Sequence, residues 1–137
     1  MSRPQFRIAV VDDDEAVRVA VRRFLRSASL DLETFPSGAE FFESLQTHLP
    51  DCVILDLKMP ETDGFAVQAR LTEMGIKLPI VVVTGCDSAE NRARALANGA
   101  SSCLHKPVDG VTLMDAVATA IKRPPGTSAL PERNQPL

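Results

Sequence analysis

Short apolar runs, each ended abruptly by a polar residue and separated by amphipathic segments, constrain the fold of this chain more than any other feature. Phe6 to Val11 runs into Asp12-Asp13-Asp14, Cys52 to Leu55 into Asp56, Pro79 to Val83 into Thr84-Gly85, and Ser102 to His105 into Lys106-Pro107. A fifth, more polar run, Asp31 to Phe35, suits a sheet edge. Runs of four to six apolar residues without alternation are the signature of strands buried on both faces.

The intervening segments read as helices. Glu15 to Ser27 places Val17, Val21, Phe24 and Ala28 on one face, with Arg18, Arg22, Arg23 and Arg26 around the other as a solvated side. Ser37-Gly38-Ala39-Glu40 has the form of a capping box, opening a helix with Phe41, Phe42, Leu45 and Leu49 inward that stops before Pro50. Asp63 or Gly64 starts a helix packing Val67, Leu71 and Met74, ended by Gly75. Asp87 or Ser88 caps an alanine-rich helix stopping at Gly99, and Asp109 caps a last one with Val117 and Ile121 inward. Five strands alternating with five helices through short connections predict an α/β, doubly wound fold: a five-stranded parallel sheet with helices on both faces.

Composition narrows the function classes. The chain has 137 residues, 45% hydrophobic and 24% charged, which suits one globular domain. A net charge of −3 argues against nucleic-acid contact through a basic surface. No apolar run approaches a membrane span, and Asp12 to Asp14 cut off any secretory signal, so a soluble cytoplasmic protein with no membrane contact is expected. Cys52, Cys86 and Cys103 are widely spaced and read as reduced thiols in or near the core; His48 and His105 have no metal-ligand spacing. From Pro124 the sequence PPGTSALPERNQPL lacks apolar periodicity. Residues 1–123 are therefore expected to form the domain and residues 124–137 a Pro-rich disordered tail, or the start of a linker.

In an open α/β sheet, ligands bind at the carboxyl ends of the strands. Those ends carry Asp12, Asp13, Asp56, Thr84 and Lys106. Each has an ordinary explanation as a cap, a strand end or a solvated charge, but their joint occurrence at strand ends does not. Like charges about 4 Å apart repel by roughly 4 kcal/mol at an effective dielectric of about 20. A hard divalent ion would relieve three carboxylates beside one lysine, and Mg²⁺ takes only one or two carboxylates while keeping waters. A carboxylate so neutralised can attack phosphorus, with the lysine and the hydroxyl holding the equatorial oxygens. By charge alone, this is a phosphoryl-transfer site.

Four segments carry a family resemblance: VVDDD (Val10 to Asp14), ILDLKMPETDG (Ile54 to Gly64), VVVTG (Val81 to Gly85) and HKPVD (His105 to Asp109). In this order, over residues 6 to 122, the chain resembles the receiver domain of two-component response regulators. The resemblance implies a flavodoxin-like, chemotaxis-regulator-like fold with strand order 2-1-3-4-5 and a cis bond between Lys106 and Pro107. It implies Asp56 as phosphoryl acceptor, Asp12 and Asp13 as the acidic pair for Mg²⁺ (Mn²⁺ as the alternative ion), and the backbone carbonyl of Lys58 as a further ligand. Thr84 and Lys106 match the switch hydroxyl and the site lysine. It also implies a sensor histidine kinase or phosphotransfer protein as donor. A downstream protein would read the face built from the fourth helix, fifth strand and fifth helix. Such a chain catalyses only its own phosphorylation and dephosphorylation.

Two departures bear on the switch. Cys103 stands where receivers commonly carry a Tyr or Phe whose ring moves, so a shallow gap is expected near it. Lys58 and Cys86 occupy positions that border the site and tune phosphoryl lifetime. Two rival readings are a degenerate receiver acting only as a binding module, and an aspartyl-phosphate phosphatase of the haloacid-dehalogenase type. Retention of all five site residues opposes the first; Lys58, where that phosphatase places a second Asp, opposes the other.

Overall fold

A computed structural model describes residues 6–26, 30–85 and 88–122. In chain order these form β1 (Arg7–Val11), α1 (Glu15–Leu25), β2 (Asp31–Phe35), α2 (Gly38–Ser44), β3 (Cys52–Leu55), α3 (Gly64–Glu73), β4 (Ile80–Thr84), α4 (Ala89–Ala97), β5 (Ser102–His105) and α5 (Gly110–Lys122). The strands make one parallel sheet in the order β2-β1-β3-β4-β5. The strand order implied by the resemblance is the one observed, with the polar β2 at an edge. The Lys106–Pro107 bond is cis.

The two-residue period of the strands explains why their runs are apolar throughout. Ala9, Val11, Val53, Leu55 and Val82 point to one face and form a core with Phe41 and Phe42 of α2 and Phe65, Val67 and Leu71 of α3. Ile8, Val10, Ile54, Val81 and Val83 point to the other and join Val21 and Leu25 of α1 and Leu113, Val117 and Ala120 of α5. Neighbouring residues thus serve opposite layers, and neither face is left for water. Truncating Leu55 or Leu113, both fully buried, to Ala would cost about 2–5 kcal/mol.

Helix starts follow the caps. Asp14, Ser37, Asp63 and Ser88 each accept a hydrogen bond from a backbone N–H of the first turn, at 2.9, 3.2, 2.8 and 3.0 Å. Of the alternatives at the third and fourth helices, Asp63 and Ser88 are the caps; Asp87 lies outside the described residues. Gly75 follows α3 with φ +72°, the left-handed geometry that ends a helix without a Cβ clash.

Three residues assigned inward by periodicity are exposed instead: Phe24 at 41%, Leu49 at 53% and Met74 at 47%. In α1 the buried pair is Val21 and Leu25, four apart, which turns Phe24 onto the flank. There its ring lies against Gly110, whose Cβ would sit 3.3 Å from it. α2 ends at Ser44, so Leu49 is outside the helix whose period placed it. Met74 is a C-cap residue, where the chain is already turning away. β1 begins at Arg7 with Phe6 half-exposed, and β4 begins at Ile80, although the Pro79 carbonyl already accepts from Val53 N–H at 2.9 Å. Two of the α1 arginines are tied to the fold: Arg18 Nη1 donates to the Asp12 carbonyl at 2.7 Å and Arg22 Nη2 to Thr34 Oγ1 at 3.3 Å. Ala28, Cys86 and the segment from residue 123 onward lie outside the described residues, as does the expected tail.

Candidate functional site

Parallel pairing brings every strand's carboxyl end to one edge, and the polar strand-end residues collect there. Asp12, Asp13 and Asp56 offer one carboxylate oxygen each within 4.8 Å of one another. They line an open cavity of about 480 Å³ together with Asp14, Lys58, Gly85 and Lys106. Asp12 and Asp56 are buried, whereas Asp13 is exposed. Lys106 reaches across from the end of β5, its Nζ 2.9 Å from Asp12 Oδ2 and 3.5 Å from Asp56 Oδ2.

Backbone groups fix the two buried carboxylates. Asp14 N–H donates to Asp12 Oδ1 at 2.9 Å, and Lys58 N–H lies 3.4 Å from Asp56 Oδ1. Asp56 N–H donates to the Val11 carbonyl at 3.0 Å, so the backbone of Asp56 continues the pairing of the sheet. Close packing holds it from the other side. Gly64 N–H donates to the Leu57 carbonyl at 2.8 Å. A Cβ on Gly64 would stand 2.5 Å from the Asp56 carbonyl oxygen and 2.8 Å from Leu57 Cα. Gly64, expected only as a helix start, also lets α3 approach the backbone of Asp56 and Leu57.

Burial raises the Asp56 carboxyl above the usual range, the negative charge of Asp12 raises it further, and Lys106 offsets part of this. Burial alone would lower the Lys106 ammonium, but its hydrogen bond to Asp12 and the charges of Asp12 and Asp56 outweigh that and hold it above its ordinary value. The cluster thus has more negative charge than one lysine can balance. An all-oxygen donor set of this kind fits a hard divalent cation such as Mg²⁺.

Thr84 ends β4 and is fully buried; Gly85, next in the chain, forms the cavity wall at that strand end. Lys106 N–H donates to the Thr84 carbonyl at 3.0 Å, linking the two residues through the sheet. Cys103 is 1% exposed and belongs to the core shared with Ala95 and Ala100, so its thiol is not itself open to a partner's side chain. Its carbonyl accepts from Arg92 Nη1 at 2.6 Å. His48 is used structurally, with Nε2 2.9 Å from Glu33 Oε1, and His105 lies exposed at the strand end.

A five-stranded parallel sheet thus carries an acidic pocket and a lysine at its carboxyl edge. The family model described as the response regulator receiver domain matches residues 8–118, and the chain belongs to that family. It is similar to the transcriptional regulatory protein TdiR of Thauera aromatica, 37% identical over 114 residues, 83% of this chain and 50% of that protein. It is also similar to a crystal structure of a response regulator receiver protein from Burkholderia phymatum. There the identity is 40%, with 86% of this chain and 96% of that one covered and a TM-score of 0.77. A CheY-like receiver domain from Methanospirillum hungatei, 23% identical with a TM-score of 0.80 over 87% of this chain and 95% of that one, shares the fold. The chain spans about half the length of the curated relatives it matches. Among the described residues, no helix is long and apolar enough to cross a membrane.

Proposed function

We propose that this receiver takes a phosphoryl group from a sensor histidine kinase or phosphotransfer protein onto Asp56, in a Mg²⁺-dependent step in the cytoplasm, Mn²⁺ serving as an alternative ion. A carboxylate oxygen of Asp56 forms the new bond to phosphorus, and the donor leaves with the electron pair of the bond it had made. Lys106, held between Asp12 and Asp56, meets the charge on the equatorial oxygens. Asp12, Asp13, Asp56 and the Lys58 carbonyl would hold the metal, which when bound neutralises charge as the anionic group approaches the acidic pocket. Thr84 would be the switch hydroxyl, Lys58 and Cys86 would tune the phosphoryl lifetime, and Cys103 would stand in the switch where relatives commonly carry a ring. Residues 1–123 would be the receiver unit, and a downstream protein would read the face of α4, β5 and α5. The chain would turn over no substrate beyond its own acyl phosphate.

The observation that carries this reading is the convergence of three carboxylates within 4.8 Å beside the Lys106 ammonium. The test is intact-mass analysis after incubation with a small phosphodonor and Mg²⁺. Wild type should gain one phosphoryl group and Asp56→Asn none; equal labelling of both would overturn the assignment.

A further inference from the structure

α4 is held differently from the other helices. α3 buries Phe65, Val67 and Leu71, and α5 buries Leu113, Val117 and Ala120. Within α4, all of whose residues are described, Ala95 alone is buried, and Leu96 is 42% exposed. A single alanine removes too little apolar surface from water to fix a helix against a sheet.

Directed polar contacts do so instead. Arg92 Nη1 donates to the Cys103 carbonyl on β5 at 2.6 Å, a charge-assisted bond of the stronger kind. Gln68, 2% exposed on α3, donates from Nε2 to the Ala95 carbonyl at 3.0 Å. Arg94 lays its guanidinium over the Phe65 ring at 4.0 Å. The Gln68 tie is kept at a cost, because its Oε1 is buried with no hydrogen-bond partner among the described residues. A leucine would fill that place without leaving a polar atom unsatisfied. Donor chemistry, not volume, distinguishes the residue that stands there.

We infer that Arg92 and Gln68 form a polar latch that sets the position of α4 and so biases the receiver's response to phosphorylation. The inference rests on the phosphoryl-accepting function proposed for Asp56. The latch closes in an arrangement where Thr84 is fully buried and Gly85 lines the site cavity. Drawing Thr84 toward a phosphoryl oxygen pulls on the short connection between β4 and α4. Hydrogen bonds lose strength steeply with misalignment, so both ties resist that displacement. Arg92 is thereby a positioning residue acting from the helix onto the carbonyl of Cys103, the position at which this chain lacks the mobile ring.

The test measures the affinity of the full chain for beryllofluoride with Mg²⁺ in wild type, Arg92→Met, Arg92→Lys and Gln68→Leu. Releasing one tie should raise the fraction of competent conformer, so Arg92→Met and Gln68→Leu should each bind on the order of three- to tenfold tighter. Arg92→Lys, which keeps a charged donor, should stay near wild type. Removing a cation would by itself weaken binding of an anion, so tightening in Arg92→Met cannot come from charge. Thermal unfolding without beryllofluoride confirms that each variant is folded. Unchanged or weaker binding in both Arg92→Met and Gln68→Leu, with normal binding by wild type, would overturn the latch alone. No binding by wild type would overturn the phosphoryl-accepting reading and the latch with it.

Discussion

Lys106 Nζ donates to Asp12 Oδ2 at 2.9 Å across 94 positions of sequence, joining the end of β5, the last strand in the chain, to the end of β1, the first. The same ammonium stands 3.5 Å from Asp56, so one cation is shared by two buried carboxylates. For Asp56 that shared cation offsets only part of the cost of ionisation. The predictions for the site follow from this imbalance.

The metal-free protein should be strained by the ionised form of Asp56. Its folded-state pKa is raised, first by burial and then by Asp12. A raised carboxyl pKa contributes stability that is fully present below the unfolded-state value of about 3.9 and lost as pH rises through the folded value. Asp56→Asn removes that charge. At pH 7 without metal its thermal midpoint should lie above that of wild type, and the gap should close as pH falls below about 4. A wild type more stable than Asp56→Asn at pH 7 would show that Lys106 over-compensates the acceptor.

Divalent metal should reverse the penalty. An ion binding only the folded state adds RT ln(1 + [L]/Kd), about 2.7 kcal/mol at a hundredfold excess over Kd. Mg²⁺ should therefore raise the melting temperature of wild type, and Asp13→Asn should respond much less. Without metal, Asp13→Asn should be at least as stable as wild type, because it relieves repulsion. Equal stabilisation of both proteins by Mg²⁺ in a melting series would remove Asp13 from the ligand set.

The approach of α3 to the Asp56 backbone gives a third prediction. Gly64→Ala would put a Cβ 2.5 Å from the Asp56 carbonyl oxygen and 2.8 Å from Leu57 Cα. Neither backbone atom can swing aside as a side-chain tip can, so Gly64→Ala should destabilise by about 1–3 kcal/mol in denaturant unfolding. It should also slow labelling of Asp56. Gly85, with nothing among the described residues within 4 Å of an added Cβ, is the matched control. Gly85→Ala should change stability by no more than about 0.5 kcal/mol.

Much of this architecture was legible because its signals are local. The apolar runs and their polar stops locate four of the strands and the more polar run Asp31 to Phe35 the fifth, and Ser37, Asp63 and Ser88 are side-chain caps readable three residues at a time. The strand order came from the family resemblance, since nothing in the runs themselves says which strand neighbours which. Helix faces were read less well. Phe24, Leu49 and Met74 are apolar residues in or near register, but periodicity extends a helix past its end and cannot tell a flank from an inner face. Tertiary proximity set the limit at the site. The convergence of Asp12, Asp56 and Lys106 follows from parallel strands, whereas the clearance at Gly64 and the grip of Arg92 on Cys103 depend on how α3 and α4 sit against the sheet.

The thiols offer a chemical check on the core. Burial first of all pushes the Cys52 thiol up to about 12, and Cys103 is 1% exposed. Thiolate is the reactive species, so neither should react with iodoacetamide at neutral pH in the native protein. Peptide mapping should find Cys52 and Cys103 unmodified within hours and both alkylated in denaturant. Rapid native labelling of Cys103 would mean that the strand is not sealed as described.

The last prediction separates the hydroxyl from the thiol in the switch. Thr84 is fully buried at the end of β4, beside the cavity that Gly85 lines, and its hydroxyl is the group that could make a charge-assisted hydrogen bond to a phosphoryl oxygen. Cys103 presents its carbonyl to Arg92, a contact that needs no particular side chain. Thr84→Ala should therefore blunt the conformational response to beryllofluoride with Mg²⁺, while Thr84→Ser, which keeps the hydroxyl, should largely retain it. Cys103→Ala should respond almost as wild type does, with a stability loss of about 1 kcal/mol for the small cavity left behind. Amide chemical-shift changes in β4, α4 and β5 report all three. A full response in Thr84→Ala together with a lost one in Cys103→Ala would place the switch in the thiol, because the hydroxyl would then be dispensable and the residue at the ring position would be carrying the movement.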